Sequence, residues 1–139
     1  MAEIKYSPGV CNIGEAEIRQ RRLIGYLGLA LTFIVIIIYI ALVLALKLNP
    51  LFGVIVFIPA EMACIGLIQA RTKFCAAYGL THQQNVSAYF GVTKKIEDEV
   101  SRVEDRNKAL KIILQSLLIA IIITVLAIFV GIIGIQISS

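Results

Sequence analysis

The chain has no tryptophan, a single histidine at position 82, three cysteines, three prolines, and charge on only 16% of its 139 residues. Each shortage excludes something. Cysteines at 11, 64 and 75 with one histidine give no spacing of the kind a zinc site uses. There is no phosphate-cradling glycine loop, no nucleophile–base pair and no cofactor signature, so neither an enzyme, nor a metal, nor a cofactor is expected. The net charge of +4 is too small, and too easily explained by a membrane surface, to call for a nucleic-acid partner.

What the chain has is hydrophobe, 59% of all residues. Leu23–Leu46 holds no charged residue, Ala109–Ile137 holds only Lys111, and Leu51–Gln69 holds only Glu61. A helix needs about 20 apolar residues to cross a bilayer. Lipid offers backbone groups no partner, so each span should be helical. The expected fold is therefore an all-α membrane protein with three transmembrane helices. It divides into an N-terminal segment (1–22), a transmembrane hairpin (23–71), a loop with an amphipathic helix (72–108) and a third transmembrane helix (109–139). The first span is too long for a cleaved signal peptide. The segments outside the spans are too short for a separate soluble enzyme domain.

Of the 13 Lys and Arg residues, Lys47 alone lies between the first two spans. The rest precede span one or lie between span two and the start of span three. The positive-inside bias then places the N-terminus and the long loop in the cytoplasm and the C-terminus outside, across a cell (inner or plasma) membrane. Cys11 and Cys75 fall near that reducing surface, where a permanent disulfide is not expected. As cytoplasmic thiols they are a reactive pair, a persulfide carrier, lipid-modified sites, or simply small interfacial residues.

Span three carries a pattern. Ala109, Ile113, Ser116, Ala120, Thr124, Ala127, Gly131, Gly134 and Ser138 recur at steps of three and four. Helices in lipid associate through close packing of small residues. The stripe predicts a helix–helix seam, within the chain or between copies. Upstream, Val92, Ile96, Val100 and Val103 form an apolar edge at helical spacing. Asp98 with Arg102, and Glu104 with Lys108, have the acid four residues before the base, which supports a surface helix. The expected helix over 93–108 is continuous with span three and projects about 24 Å. In the preceding loop, His82, Gln83, Gln84 and Asn85 are positioned to cap helices or meet a partner.

Two short motifs carry a resemblance. "NIGEAEIRQRRLIG" sets Asn12, Gly14, Glu17, Arg21 and Gly25 ahead of span one, and "FCAAYGL" sets Cys75 and Tyr78 after span two. Together, over residues 12–80, they resemble the small two-helix transmembrane domain fused to membrane-bound rhodaneses of the YgaP type, a domain also found alone. Ile18 and Ala76 depart from that pattern, at its first arginine and at the proline after its cysteine. The resemblance implies a hairpin with a cytoplasmic N-terminus, self-association and a link to sulfur-containing anions. It has no counterpart for Glu61 or for span three.

Glu61 is the one acid inside a span. An ionisable residue there faces protein or water. Burial without a cation favours the neutral acid. Counting from Arg71 puts Glu61 about 15 Å deep, level with Thr32 on span one and near Thr124 on span three. We expect a hydrogen bond to one or both threonines, with Cys64 on the same face. Three roles follow: a structural acid that fixes register, a proton or ion site, or the partner of a base on another subunit. Two functions compete. One is a membrane scaffold or accessory subunit that self-associates or joins a larger complex through the small-residue face of span three. The other is an oligomeric transporter or pore, for a small ion or a sulfur-containing anion, that uses Glu61.

Overall fold

A computed structural model of the protein describes residues 5–137. Four helices follow in chain order: α1 (Glu15–Leu46), α2 (Phe57–Thr72), α3 (Ala76–Thr81) and α4 (Glu99–Ile137), with a 3-10 segment, Pro50–Val56, leading into α2. Three helical stretches are long and apolar enough to cross a membrane: Glu15–Leu46, Pro50–Thr72 and Glu99–Ile137. The chain is thus a helical membrane protein by length and composition. A minimal antiparallel pair, β1 (Gln83–Gln84) with β2 (Lys94–Lys95), ties the connecting loop together.

Local chemistry explains the breaks. Asn49 accepts the Leu51 N–H through its side chain, and Pro50 occupies the first turn of the 3-10 segment. Pro59 has no N–H to donate back, and it sits in the first turn of α2, where that donor would be orphaned anyway. Lys47, Lys73 and His82 end α1, α2 and α3 in left-handed backbone conformations (φ 51°, 53° and 58°), the cap that stops a helix without glycine.

The helices touch at their backbones. A Cβ on Gly28 would meet the Ala63 backbone nitrogen at 2.5 Å, and one on Gly66 would meet the Gly25 nitrogen at 2.7 Å. Helices α1 and α2 therefore run antiparallel with almost no side chain between them. Helix α4 lies along both. Its buried residues are Ser101, Asp105, Ala109, Ile112, Ser116, Ala120, Thr124, Ala127 and Gly131. Six of these, Ala109, Ser116, Ala120, Thr124, Ala127 and Gly131, belong to the small-residue stripe and are covered inside the chain, while Ile113 and Gly134 are half-buried. A Cβ on Gly131 would collide with the Tyr39 hydroxyl, and one on Gly134 would meet Leu44 Cδ2 at 2.9 Å. Tyr39 is buried, donates to the Pro50 carbonyl at 2.7 Å, and closes the far end of the hairpin. Ser138 lies outside the described residues.

One boundary is corrected. Helix α4 begins at Glu99, not near 93, because the Asp98 carboxylate caps it, accepting from Ser101 N at 2.9 Å and Ser101 Oγ at 2.6 Å. Those bonds hold Asp98 below the usual carboxylate range. Val92 and Ile96 precede the helix, and Arg102 Nε reaches the Ile96 carbonyl at 2.7 Å. Val100 and Val103 are 67% and 54% exposed, while Ser101 and Asp105 form the packed side of these turns. Of the apolar edge, Ile96 is therefore buried in the body of the protein, whereas Val92, Val100 and Val103 face away from it.

Candidate functional site

Two groups of polar side chains are held inside the molecule, one at membrane depth and one at the basic end.

At membrane depth, Glu61 Oε1 accepts from Ser116 Oγ at 2.7 Å. The expected partners are not used. Thr32 Oγ1 donates to Gly28 O at 2.7 Å, and Thr124 Oγ1 donates to Ala120 O at 2.8 Å, so each hydroxyl bonds back into its own helix. The depth count failed on α4. Ten residues back from Ser116 is Arg106, so Arg106 stands level with Arg71, and the expected partner lay about two turns too deep. Register is set by where small residues allow backbones to meet, which residue counting cannot see. Ser116 Oγ also lies 2.9 Å from the Ile113 carbonyl. Glu61 Oε2 is buried without a hydrogen-bond partner. Cys64, one turn on, is half-buried.

The basic end is more elaborate. Asn12 is fully buried, and its amide pairs with the backbone of Cys75, Oδ1 accepting from Cys75 N at 2.7 Å and Nδ2 donating to Cys75 O at 3.1 Å. Asn12 N donates to Lys73 O at 3.3 Å, and its own carbonyl accepts from Asn85 N at 2.8 Å. One asparagine thus joins the N-terminal segment, the end of α2 and the loop. Gly14 N bonds Asn85 O at 2.7 Å, and a Cβ on Gly14 would meet Ser87 O at 2.5 Å.

Glu17, wholly buried, is the centre. Its Oε1 accepts from Tyr78 Oη at 2.8 Å, Asn85 Nδ2 at 3.0 Å and Gly91 N at 3.2 Å. Arg21 Nη2 stands 3.6 Å from Glu17 Oε2 and donates to Cys75 Sγ at 3.3 Å. The Tyr78 phenol is pushed up to about 12, first by burial and then by its bond to Glu17. All the residues that carry the resemblance except Gly25 therefore meet in one place.

The two thiols do not bond each other. Cys75 is fully buried beside Arg21, while Cys11 donates to the Ile13 carbonyl at 3.5 Å. Burial pushes the Cys11 thiol up. His82 holds Ile96 N through its carbonyl at 2.9 Å, and its Nδ1 is buried without a hydrogen-bond partner.

Asp105 was not foreseen. It is fully buried, and its oxygens accept from Gly9 N at 2.7 Å and Tyr6 Oη at 3.1 Å, fastening the N-terminal segment to α4. Burial, followed by the Asp105 charge, pushes the Tyr6 phenol up to about 12. The signal was available: Ser101 and Asp105 continue the stripe upward from Ala109 in steps of four. A cleft of about 460 Å³ opens nearby, between Lys5 and Tyr6 on one side and Gln84, Ser87 and Lys94 on the other. Among the described residues, no three His, Cys, Asp or Glu side chains converge as a metal site requires.

Comparison with protein-family models, curated proteins and solved structures finds no match for this chain.

Proposed function

We propose that the protein is a small integral membrane scaffold or accessory subunit, acting by association rather than by chemistry. One observation carries this reading: the buried polar side chains at the basic end serve the chain's own architecture. Asn12, Glu17, Asn85 and Asp105 bond backbone groups and side chains of the same chain, fixing the N-terminal segment, the loop and α4 as a unit. Buried hydrogen-bond networks of this kind specify and stiffen a structure.

The small-residue face is consumed within the chain, so association uses another surface. Residues 99–108 of α4 extend the third span by about 15 Å as a cytoplasmic amphipathic helix. The exposed Val100 and Val103 on it are the edge offered to a partner, a second copy or a larger membrane subunit. The positive-inside bias supports a cell-membrane protein with its N-terminus in the cytoplasm and its C-terminus outside. The resemblance to the rhodanese-associated hairpin supports self-association in the same way.

Native mass measurement after purification in mild detergent tests this. The expected species exceed the 15.2 kDa of one chain and revert to it in Val100→Glu/Val103→Glu. A single chain in every mild detergent and in nanodiscs would overturn the proposal.

A second reading rests on the unpartnered Glu61 Oε2. An oligomeric transporter for a small ion or a sulfur-containing anion would route its cargo past this oxygen. Glu61→Gln should then abolish flux into liposomes, and unchanged flux would rule that path out.

A further inference from the structure

The loop between β1 and β2 departs from the pattern of the basic end. Its polar groups are bonded inward, yet its tip presents Tyr89 and Phe90, 74% and 58% exposed, next to exposed Val92. These aromatics do not sit on a slack segment. Asn85 Nδ2 donates to Tyr89 O at 3.0 Å, and Tyr89 N donates to Ser87 Oγ at 3.3 Å. Gly91, at φ +78°, donates its N–H to Glu17. The tip is therefore held at the height of Glu17 on α1.

That height is informative. Glu17 precedes Leu23, the first residue of the uncharged run, by six residues, or about 9 Å of helix. The headgroup layer extends about 5–8 Å beyond the hydrocarbon on each side. A side chain projecting from the tip is thus within one aromatic length of the layer in which Tyr and its relatives concentrate. Tyr26, 57% exposed one turn beyond Arg22, marks that layer on α1. Exposed cations lie on the elements that carry the tip: Arg19 and Arg22 on α1, beside Glu17 in sequence, and Lys94 and Lys95 on β2. Basic groups near an anionic leaflet are attracted to it. An exposed apolar patch at this height, on elements that carry exposed positive charge, fits a lipid interface.

We propose that the Tyr89–Phe90 tip is an interfacial anchor that inserts among the headgroups of an anionic leaflet, beside the three spans. The anchor sets the height of the basic end relative to the bilayer through the Gly91–Glu17 bond. It rests on the membrane reading of the three helices, which the experiment tests separately.

The absence of native tryptophan makes that experiment clean. Phe90→Trp and, as a reference in the span, Tyr26→Trp are each the single fluorophore of a full-length chain in liposomes of mixed phosphatidylcholine and phosphatidylglycerol. Both should emit blue-shifted light, lose intensity with lipids brominated near the headgroup, and resist aqueous iodide. Phe90→Trp should lose part of its lipid quenching in pure phosphatidylcholine. If Tyr26→Trp also fails to respond to bromolipid, the membrane reading itself falls. If Phe90→Trp alone is quenched by iodide and not by lipid, the anchor is wrong. Protection of Phe90→Trp from both quenchers would mean that another protein covers the tip, which also overturns the proposal. Tyr89→Trp repeats the test should Phe90→Trp not fold.

Discussion

The spans and the basic end are built on opposite principles. In the spans, helices meet because side chains are missing: Gly25, Gly28 and Gly66 let α1 and α2 touch backbone to backbone, and Gly131 leaves room for Tyr39. At the basic end, segments meet because side chains are present: Asn12, Glu17, Asn85 and Asp105 supply the partners that irregular backbone lacks. In lipid there is little hydrophobic drive between helices, so packing area decides. Irregular backbone buried away from water must have every polar group paired, so hydrogen bonding decides there. Burial alone would rank Gly28 and Asn12 together, but they fail for different reasons when altered.

The largest effect should come from breaking the first principle. Gly28→Leu puts a side chain where Ala63 N stands 2.5 Å from the first added carbon. The hairpin cannot give way without separating its helices, so the cost should exceed the ~1–3 kcal/mol of an ordinary overpacked core. Little folded protein should survive size-exclusion in detergent, whereas Gly134→Ala, which meets only the tip of Leu44, should behave almost normally.

Breaking the second principle comes next. Asn12→Ala strands Cys75 N, while Cys75 O keeps the Gly79 N–H at 3.0 Å, and a buried group left unpaired costs about 1–3 kcal/mol. Thermal unfolding followed by helicity should show a clear loss, with proteolysis increasing first in residues 5–14 and 82–98. An unchanged midpoint would mean that water replaces the asparagine and that the basic end is not dry.

Alkali probes the same region more gently. The Tyr78 and Tyr6 phenols are pushed up to about 12 from an ordinary 10.0. Between these values the unfolded chain has released protons that the folded chain keeps, so stability falls as pH rises. Their contribution is fully present below pH 10 and is lost through about 12. Phenolate absorbance should show late steps from Tyr6 and Tyr78, and Tyr78→Phe should remove one of them.

The smallest expected effect is in the spans. Ser116→Ala removes one hydrogen bond to Glu61, and such bonds between membrane helices average about 0.6 kcal/mol. The midpoint should shift less than for Asn12→Ala. A shift as large as that variant's would show that hydrogen bonding matters as much at membrane depth as at the basic end.

Legibility in the sequence followed the same division. The three spans could be read because apolar length is a property of the chain alone. The stripe could be read because helical periodicity places its members on one face whatever they meet. The Gly25-x-x-Gly28 and Ala63-x-x-Gly66 spacings carried the hairpin seam in the same code, and the resemblance had singled out only Gly25. The Glu61 partner was misread, since equal depth on two helices does not fix which residues face each other. Which groups bond Asp105 and Glu17 could not be read, because donor and acceptor lie as far apart as positions 9 and 105, or 91 and 17.

By itself, the sequence determined that the chain forms three membrane-length helices and that one side of the third is small. Hydrophobic burial is non-directional and follows from composition and period. Only the tertiary structure decided that this small side is covered within the chain, that Glu61 pairs with Ser116, and that Asn12, Glu17 and Asp105 bind the basic end together. Hydrogen bonds require atoms within about 3 Å at the right angle, and no one-dimensional pattern contains that condition.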